Sequence, residues 1–354
     1  MANLILVINT GNTSTKVGLY NSKKPAFVEE IRHSDKSLAK FKDINAQKDF
    51  RENIVVEFLK EKRVEGHQLA AVAARGGLLE PLESGTYRVN QKMIDDLIEA
   101  RRGLHASHLS AQIGLSIAQR AGISCFVVDP ISVDELEPIA RYSGHKLFER
   151  NMLSHALNMK AVAKRYAREN HLDYREITLI VIHLGTGISV SVHKNGRMVD
   201  AVNPTEEGAF SLDRSGGLPV LQVVGYVRDE KISYKEFRNL VWNNGGLYSY
   251  LNTRDFMKVE ELYKKGDPET IAVVEAMAYQ VAKEVGALAT VVSGKVDTIV
   301  MSGGMARADF FVKIIGQRIR FIAPIQVYPG EDEMEALAEG VYRVLEGEEE
   351  AREY

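Results

Sequence analysis

Cysteine and long hydrophobic runs are nearly absent from this sequence. The one cysteine, Cys125, lies in the apolar stretch 124–128, so a disulfide framework is excluded and a reducing compartment is expected. No apolar stretch approaches the roughly 20 residues that a membrane-spanning helix needs. The first eight residues carry no basic region of the kind that opens a secretory signal. We therefore expect a cytoplasmic protein without a membrane partner.

The chain also lacks an excess of either charge. Its 45 lysines and arginines nearly balance its 48 aspartates and glutamates, for a formal net charge of -3. Without a basic field, nucleic acid is not expected as a partner. The 354 residues, 45% of them hydrophobic, suffice for two domains with a core each. No glycine- or serine-rich linker marks the boundary between them.

Predicted strands and helices alternate along the chain, which is typical of an α/β fold with helices on the faces of a sheet. The predicted strands span residues 4–9, 16–20, 26–31, 69–74, 124–129, 178–183, 189–193, 298–301 and 322–327. The predicted helices span residues 91–100, 107–121, 155–170, 233–242, 267–293, 309–320 and 333–347. The helix from Asp267 has the clearest start, because Asp267 can cap it and Pro268 suits its first position.

One pattern occurs twice, at residues 6–17 and 180–191. Each copy is a buried strand, a polar residue (Asn9 or His183), a turn that contains glycine and hydroxyl side chains, and an alternating strand. The copies lie half a chain length apart, which indicates a duplicated domain, although two hairpins can also resemble each other by chance. In a duplicated protein, the two turns could hold phosphates from both sides of a cleft, because glycine lets backbone N–H groups approach an anion closely.

A third glycine turn, Gly303-Gly304, follows a third buried strand. Strand, glycine pair and helix form a geometry that lets a phosphate or flat ligand lie on bare backbone. The order hairpin, hairpin, glycine pair resembles the sugar kinase, Hsp70 and actin superfold, in which two turns hold phosphates and the third lies near adenosine. Sugar kinases and actin usually begin the first turn with aspartate, whereas this chain has Asn9.

Several motifs resemble those of the acetokinase family, the kinases of acetate, propionate and butyrate. They are Asn9–Lys16, Gly103–His105, Arg150–His155, His183–Gly187, Gly208 with Asp213–Gly216, and Thr253–Phe256. The matches run from residue 4 to about residue 345. The pattern is closest to the butyrate kinase subfamily, at residues 75–79, 85–90, 129–136 and 328–334. It departs at Thr186, His108 and Met257, where glycine, asparagine and arginine are common.

The resemblance implies an ATP-dependent transfer of a phosphoryl group to the carboxylate of a short-chain fatty acid, with butyrate first. Such a carboxylate is already ionised at neutral pH, so cations are needed to offset repulsion and no catalytic base is required. The implied catalytic residues are Arg75, His155, Arg214, His183 and Asn9.

The resemblance also implies the residues that hold the nucleotide and its Mg²⁺. The implied nucleotide-binding residues are Asn12, Ser14, Lys16, Gly185, Thr186, Gly187, Asp255, Phe256, Gly303, Gly304 and Met305. Asp129 and Glu333 are the expected Mg²⁺ ligands, with contacts expected through water. Glu331 and Glu335 are alternatives to Glu333, because the alignment of the last helix can slip.

The expected acyl pocket has lost bulk relative to acetate kinases. Gly77 and Ser154 replace larger residues, Leu104 and Thr205 are expected to remain as walls, and His105 is expected to orient the substrate. Two extra methylenes, worth about 0.8 kcal/mol each on burial, would then favour butyrate over acetate.

These interpretations predict two actin-like domains with an active site in the cleft between them. Residues 1–151 with 331–354 form the first, and 152–330 form the nucleotide-binding second. Alternatives are an acetate, propionate or branched-chain acid kinase of the same family, or a non-enzymatic ATP-binding switch. The cluster of arginines and histidines counts against a switch. A homo-oligomer is expected from the family alone.

Overall fold

The computed structural model describes residues 3–21 and 24–354, and the chain divides into two compact units. Unit 1 comprises Met1–Val133 and Asp332–Tyr354, and unit 2 comprises Asp134–Glu331. Each unit is built around its own mixed sheet.

The unit boundary lies earlier than the sequence indicated. Residues 134–151 were expected in the first domain, but their side chains bond within unit 2. Glu135 accepts a hydrogen bond from Lys160 at 2.6 Å, with both side chains buried. Arg150 likewise donates to Glu207 at 2.9 Å. These ion pairs tie the segment to unit 2, so the domain limits expected from the sequence are corrected here.

The strands and helices are numbered in chain order. The strands are β1 Leu4–Thr10, β2 Ser14–Asn21, β3 Lys24–Arg32, β4 Leu69–Ala74, β5 Thr86–Arg88, β6 Ser124–Val128, β7 Leu179–Leu184, β8 Ile188–Lys194, β9 Arg197–Ala201, β10 Thr298–Gly303, β11 Ile325–Pro329 and β12 Arg352–Glu353. The helices are α1 Asp35–Leu38, α2 Lys48–Glu61, α3 Gln91–Glu99, α4 His108–Ala121, α5 Ala156–Glu169, α6 Val220–Glu230, α7 Tyr234–Asn243, α8 Gly246–Leu251, α9 Phe256–Lys264, α10 Pro268–Val291, α11 Asp309–Ile319 and α12 Glu333–Leu345.

The two sheets repeat one strand order. The sheet of unit 1 runs β12-β5-β6-β4-β1-β2-β3, and that of unit 2 runs β11-β10-β7-β8-β9. In each sheet, three antiparallel strands are followed by parallel ones: β4 and β6 continue from β1, and β10 and β11 continue from β7. The order β3-β2-β1-β4-β6 therefore matches β9-β8-β7-β10-β11, which confirms the predicted duplication.

The last helix of each half of the chain packs away from the strands that precede it. Helix α5 follows the strands of unit 1 in sequence, yet it packs on β7 and β10 of unit 2. Helix α12 follows the strands of unit 2, yet it packs on β1, β4 and β6 of unit 1. This arrangement brings the start of α12, with Glu333, to the carboxyl end of β1.

Buried aliphatic side chains form a separate core in each unit. Strand β1 contributes Leu6 and Ile8 to the first core, and β7 contributes Ile180 and Ile182 to the second. Within the described residues, no helix is both long enough and apolar enough to span a membrane.

Every predicted strand and helix is present, with ends shifted by at most three residues. The N-cap of α10 is confirmed, since the Asp267 carboxylate accepts from the backbone N–H of Thr270 at 2.9 Å. The elements that the sequence did not predict are β5, β9, β12, α1, α2, α6, α8 and α9. Helix α2 lacks a clear apolar stripe because its buried residues include Arg51 and Glu52.

Candidate active site

Three predicted site residues meet at the carboxyl end of β1 in unit 1. The Asn9 amide donates to Glu333 Oε2 at 2.7 Å and accepts from Arg75 Nη1 at 3.2 Å. Arg75 also pairs with both carboxylate oxygens of Glu333, at 3.2 and 3.1 Å. Asn9 comes from the end of β1, Arg75 follows β4, and Glu333 opens α12. The parallel pairing of β1 with β4 is the reason that the first two lie side by side.

The other Mg²⁺ ligand expected from the sequence, Asp129, holds a turn. It follows β6 with a positive φ of 38°, and its Oδ1 accepts from Ser84 Oγ at 2.6 Å and from the N–H of Gly85 at 2.8 Å. A left-handed conformation is uncommon for a residue other than glycine, and the two hydrogen bonds stabilise it here.

The candidate Mg²⁺ ligands of unit 1 are two carboxylates, those of Glu333 and Asp129. Residues 3–21 and 24–354 contain no group of three or more histidine, cysteine, aspartate or glutamate side chains placed to hold a metal. Mg²⁺ usually keeps several waters and uses one or two carboxylates together with substrate phosphates. Glu333 and Asp129 each offer one carboxylate of this kind, and their role as Mg²⁺ ligands stays a prediction. Of the three glutamates considered near residue 333, Glu333 is the one that contacts Asn9 and Arg75.

The first turn, residues 11–14, joins β1 to β2. Asn12 is exposed, Ser14 is half-buried, and Lys16 lies directly across the hairpin from Asn9 in the strand register. At the base of the turn, Thr10 bonds to Ser110 of α4, with its N–H 2.9 Å from Ser110 Oγ. Helix α4 is thereby fixed against the turn.

The segment before α4 carries two residues expected at the substrate. The His105 Nδ1 atom accepts from the backbone N–H of Ser107 at 3.2 Å and lies 2.9 Å from Ser107 Oγ. This local loop sets the direction of the imidazole. Leu104 is 38% exposed, so its side chain can contact a ligand.

Gly77 does not leave open space for an acyl chain in the direction of its missing side chain. A Cβ atom placed there would collide with the ring of His108 and lie 2.8 Å from Leu97 Cδ2. His108 is fully buried, lies 2.9 Å from the Leu97 carbonyl oxygen through Nδ1, and accepts from the Leu78 N–H at 3.0 Å through Nε2. The structure thus corrects the sequence interpretation: His108 occupies the volume that Gly77 lacks.

In unit 2, two of the predicted catalytic histidines stack on each other. The rings of His155 and His183 lie 4.0 Å apart between centroids, with an interplanar angle of 17°. His155 Nδ1 lies 2.9 Å from Ser189 Oγ. His183 Nδ1 lies 2.9 Å from Asn158 Oδ1, which also accepts from Ser302 Oγ at 2.7 Å. Because Asn158 Oδ1 can only accept, His183 carries a proton on Nδ1.

The other ring nitrogen of His183 faces a carboxylate. Its Nε2 atom is buried and lies 3.2 Å from Glu331 Oε1, but the angle is not that of a hydrogen bond and no other partner is found among the described residues. Glu331 thus lies beside His183 in unit 2. Which of Glu331, Glu333 and Glu335 faces the metal stays a prediction.

The second turn, Gly185-Thr186-Gly187, lies between this histidine and Arg214. Thr186 is exposed at the tip. A Cβ atom on Gly185 would lie 2.6 Å from His183 Nε2, and one on Gly187 would lie 2.6 Å from Arg214 Nη1. The side chains of His183 and Arg214 therefore pack directly on the backbone of the turn, and a side chain at either glycine would displace them.

Arg214 differs from Arg75 because it has no carboxylate partner. Its guanidinium makes no hydrogen bond or ion pair with the described part of the chain. Burial lowers the pKa of Arg214, while the charge of Asp213 acts in the opposite direction. Burial likewise raises the pKa of Asp213, whose Oδ1 is buried without a hydrogen-bond partner in the described chain. An arginine remains charged even so, and Arg214 is therefore available to an anion.

The third turn divides into a structural glycine and an open one. Gly303 has a φ of 95°, and a Cβ atom there would meet the backbone of Leu184. Gly304 has nothing within 4 Å of the place where its Cβ would lie, so its bare backbone is accessible. Met305, by contrast, is 3% exposed and belongs to the core of unit 2. The Met305 side chain therefore has a packing role, and nucleotide binding at this residue stays a prediction.

The predicted adenine segment also has structural roles. Asp255 caps α9 by accepting from the Met257 N–H at 2.9 Å. Phe256 packs against the core and against the rings of Phe310 and Phe311, at 5.9 and 5.3 Å between centroids. Both side chains are therefore explained by contacts within unit 2, and nucleotide binding at Asp255 and Phe256 stays a prediction.

Two residues expected at the acyl chain lie in unit 2. Ser154 is buried, and its Oγ finds no hydrogen-bond partner among the described residues. Thr205 is half-buried and donates to Asn203 Oδ1 at 2.6 Å.

Sequence reasoning missed three side chains that hold these groups. Asn158, one helical turn after His155, fixes His183, and the His-x-x-Asn spacing on a helix was its only available signal. Ser189 bonds His155 from β8. Arg51 is buried beneath the first turn, and the sequence offered no signal for it because helix α2 was not predicted.

The fold is shared with solved acetate kinase structures. The crystal structure of the Porphyromonas gingivalis acetate kinase aligns with a TM-score of 0.78 and 17% sequence identity, covering 97% of this chain and 100% of that chain. This likeness confirms the predicted fold class, two duplicated actin-like units.

The sequence relatives define the family. The Acetokinase family profile matches residues 138–321. Butyrate kinase 1 of Clostridium acetobutylicum is 45% identical over 351 residues, and Butyrate kinase 2 of the same organism is 44% identical over 351 residues, in each case across 99% of both chains. The chain belongs to the acetokinase family, of phosphotransferases with a carboxyl group as acceptor, as its motifs predicted.

Proposed function

We propose that this protein is a butyrate kinase, which transfers the γ-phosphoryl group of ATP reversibly to the carboxylate of butyrate. The observation that carries the proposal is the 45% identity to Butyrate kinase 1 across 99% of both chains. The geometry of Arg214 supports it, because this arginine, which makes no ion pair with the described residues, lies directly on a glycine turn. Such a cation suits a phosphoryl group that carries negative charge on three equatorial oxygens.

In the proposed reaction, a carboxylate oxygen of butyrate forms a bond to the γ-phosphorus of ATP. The bond from that phosphorus to the β–γ bridging oxygen breaks, and ADP leaves with the electron pair. No base is needed, since a fatty acid is ionised at neutral pH. When bound, Mg²⁺ neutralises charge on the nucleotide phosphates, and Glu333 and Asp129 would hold it.

We propose that the predicted catalytic residues act on the transferred phosphoryl group. Arg214 and Arg75 are proposed to stabilise equatorial oxygens, because a guanidinium binds oxyanions bidentately. His155 and His183 would donate to the same group, with Asn158 and Ser189 fixing the ring orientations. Asn9, held by Arg75 and Glu333, would lie next to the metal. The cytoplasmic location and the homo-oligomer stay predictions.

The test is hydroxylamine trapping of acyl phosphate with ATP and one acid at a time. Butyrate should give the highest kcat/KM among acetate, propionate, butyrate and isobutyrate. A higher value for acetate or propionate would point to another kinase of the family. Binding of ATP without acyl hydroxamate from any acid would support the non-enzymatic switch and contradict the proposal.

A further inference from the structure

The first turn of unit 1 is held from behind by a buried arginine. Arg51, on α2, is 0% exposed. Its Nη1 donates to the carbonyl oxygens of Gly11 and Ser14, both at 2.8 Å, and its Nη2 donates to the carbonyl oxygen of Asn12 at 3.1 Å. One guanidinium therefore binds three of the four carbonyl groups in the turn.

The remaining carbonyl group and the free amides complete the arrangement. The Thr13 carbonyl accepts from the backbone N–H of His33 at 2.8 Å. The N–H groups of Asn12 and Thr13 have no acceptor among the described residues, and both residues are exposed. Because all four carbonyl oxygens are bonded to donors of the protein and these two exposed amides are not, the amides are available to an anion.

Arg51 has no acidic partner in the described chain. Beyond the turn, its acceptors are Gln47 Oε1, at 3.0 and 2.9 Å, and Thr15 Oγ1 at 3.3 Å. The neighbouring Glu52 forms ion pairs with Arg120 and Lys48, at 2.6 and 2.9 Å. Burial lowers the pKa of Arg51, but an arginine stays charged in a protein. A buried charge normally has a counter-ion, because desolvation is costly.

We propose that Arg51 is a positioning residue whose charge is completed by a phosphate bound on the turn 11–14. The proposal rests on the proposed function and deepens it. Arg51 would act twice: it directs the amides of Asn12 and Thr13 outwards, and it places a fixed positive charge behind them. The shared ligand chemistry is a phosphate group, from either the nucleotide or the acyl phosphate.

Three variants separate the geometry from the charge. Arg51→Met removes both, and Arg51→Lys keeps the charge but cannot reach three carbonyl groups. Gln47→Glu is the most selective, since a carboxylate accepts the same two hydrogen bonds and supplies Arg51 with an internal counter-ion. Gln119→Glu, which adds the same charge at an exposed position of α4, is its matched control.

The readouts are the melting temperature, the affinities for ADP and adenosine by calorimetry, and KM for ATP and for butyryl phosphate. Arg51→Met and Arg51→Lys should lower kcat/KM by about 100-fold, the effect of a misplaced binding group. Gln47→Glu should keep or raise the melting temperature while weakening phosphate-bearing ligands about tenfold. Adenosine affinity and the Gln119→Glu control should not change.

The pattern of losses identifies the phosphate. A rise in KM confined to ATP, with weaker ADP binding, assigns the turn to the nucleotide, whereas a rise confined to butyryl phosphate assigns it to the acyl phosphate. Unchanged KM values and ADP affinity in Gln47→Glu would overturn the proposal, whether or not the Arg51 variants fold. ADP binding needs no acid, so the inference is tested even if wild-type protein phosphorylates none of the four acids.

Discussion

Arg75 and Glu333 form a bidentate ion pair, with Nη1 to Oε2 at 3.2 Å and Nη2 to Oε1 at 3.1 Å, although they lie 258 residues apart in the chain. One is a proposed transition-state cation and the other a proposed Mg²⁺ ligand. The pair lets each side chain hold the other in position before a substrate binds. Arg214 has no such partner, and the two arginines should therefore respond differently to substitution.

Arg214→Ala is expected to lower turnover by roughly 10³-fold, the scale of an arginine finger, with little change in the free energy of unfolding. The physical reason is that Arg214 makes no hydrogen bond or ion pair with the described chain. Turnover and urea unfolding measure the two effects. Arg228→Ala, at an exposed position of the same unit, is the control, and normal turnover in Arg214→Ala would remove it from the catalytic set.

Arg75→Ala should reduce turnover and stability together, because it leaves the Glu333 carboxylate without its cation. A double-mutant cycle with Glu333→Gln should give a coupling energy of about 1–2 kcal/mol in unfolding. Additive losses would mean that the ion pair contributes nothing to the fold.

Gly304→Val is expected to raise KM for ATP with little effect on KM for butyrate or on folding. A side chain at Gly304 meets no protein atom within 4 Å, so any effect reports on the ligand. Gly144→Val, at another open glycine, is the matched control. A loss confined to butyrate would assign the third turn to the acid instead of adenosine.

Ser154→Val should depress kcat/KM for butyrate more than for acetate, by about tenfold, if the buried Ser154 side chain lines the acyl pocket. Ser154→Ala is the control and should leave the ratio of the kcat/KM values for the two acids unchanged. Equal losses for both acids in Ser154→Val would exclude Ser154 from the pocket.

Gly77→Val should destabilise the protein and reduce activity equally for all acids, because the new side chain collides with His108.

Stability should fall as the pH drops below about 6.5, the ordinary histidine pKa. Burial lowers the pKa of His33, His108 and His193. The unfolded chain therefore binds protons that the folded chain does not, so the stability present above 6.5 is lost on acidification. Each such histidine contributes up to about 1.4 kcal/mol per pH unit. His108→Gln keeps a donor and an acceptor, and urea unfolding between pH 7.5 and 5.5 should show a shallower slope; an unchanged slope would contradict the prediction.

The sequence by itself determined the duplicated fold, the turns and the family, because those signals are local. Alternating apolar strands, glycine turns and caps such as Asp267 depend on neighbouring residues, so they are visible in the order of the chain. Asn9, His183 and Gly303 could be named for the same reason, since each ends or follows a buried strand within a recognisable motif.

Tertiary structure alone decided which side chains meet. The pairing of Arg75 with Glu333 depends on α12 returning to the sheet of unit 1, and no local pattern encodes that return. Arg51 was not identified from the sequence, and its contacts exist only because α2 packs beneath the first turn. The glycine at residue 77 looked like space for a substrate, but packing filled that space with His108. In each case, the residues in contact are distant in sequence. Their contact forms only when the helices and strands pack against each other.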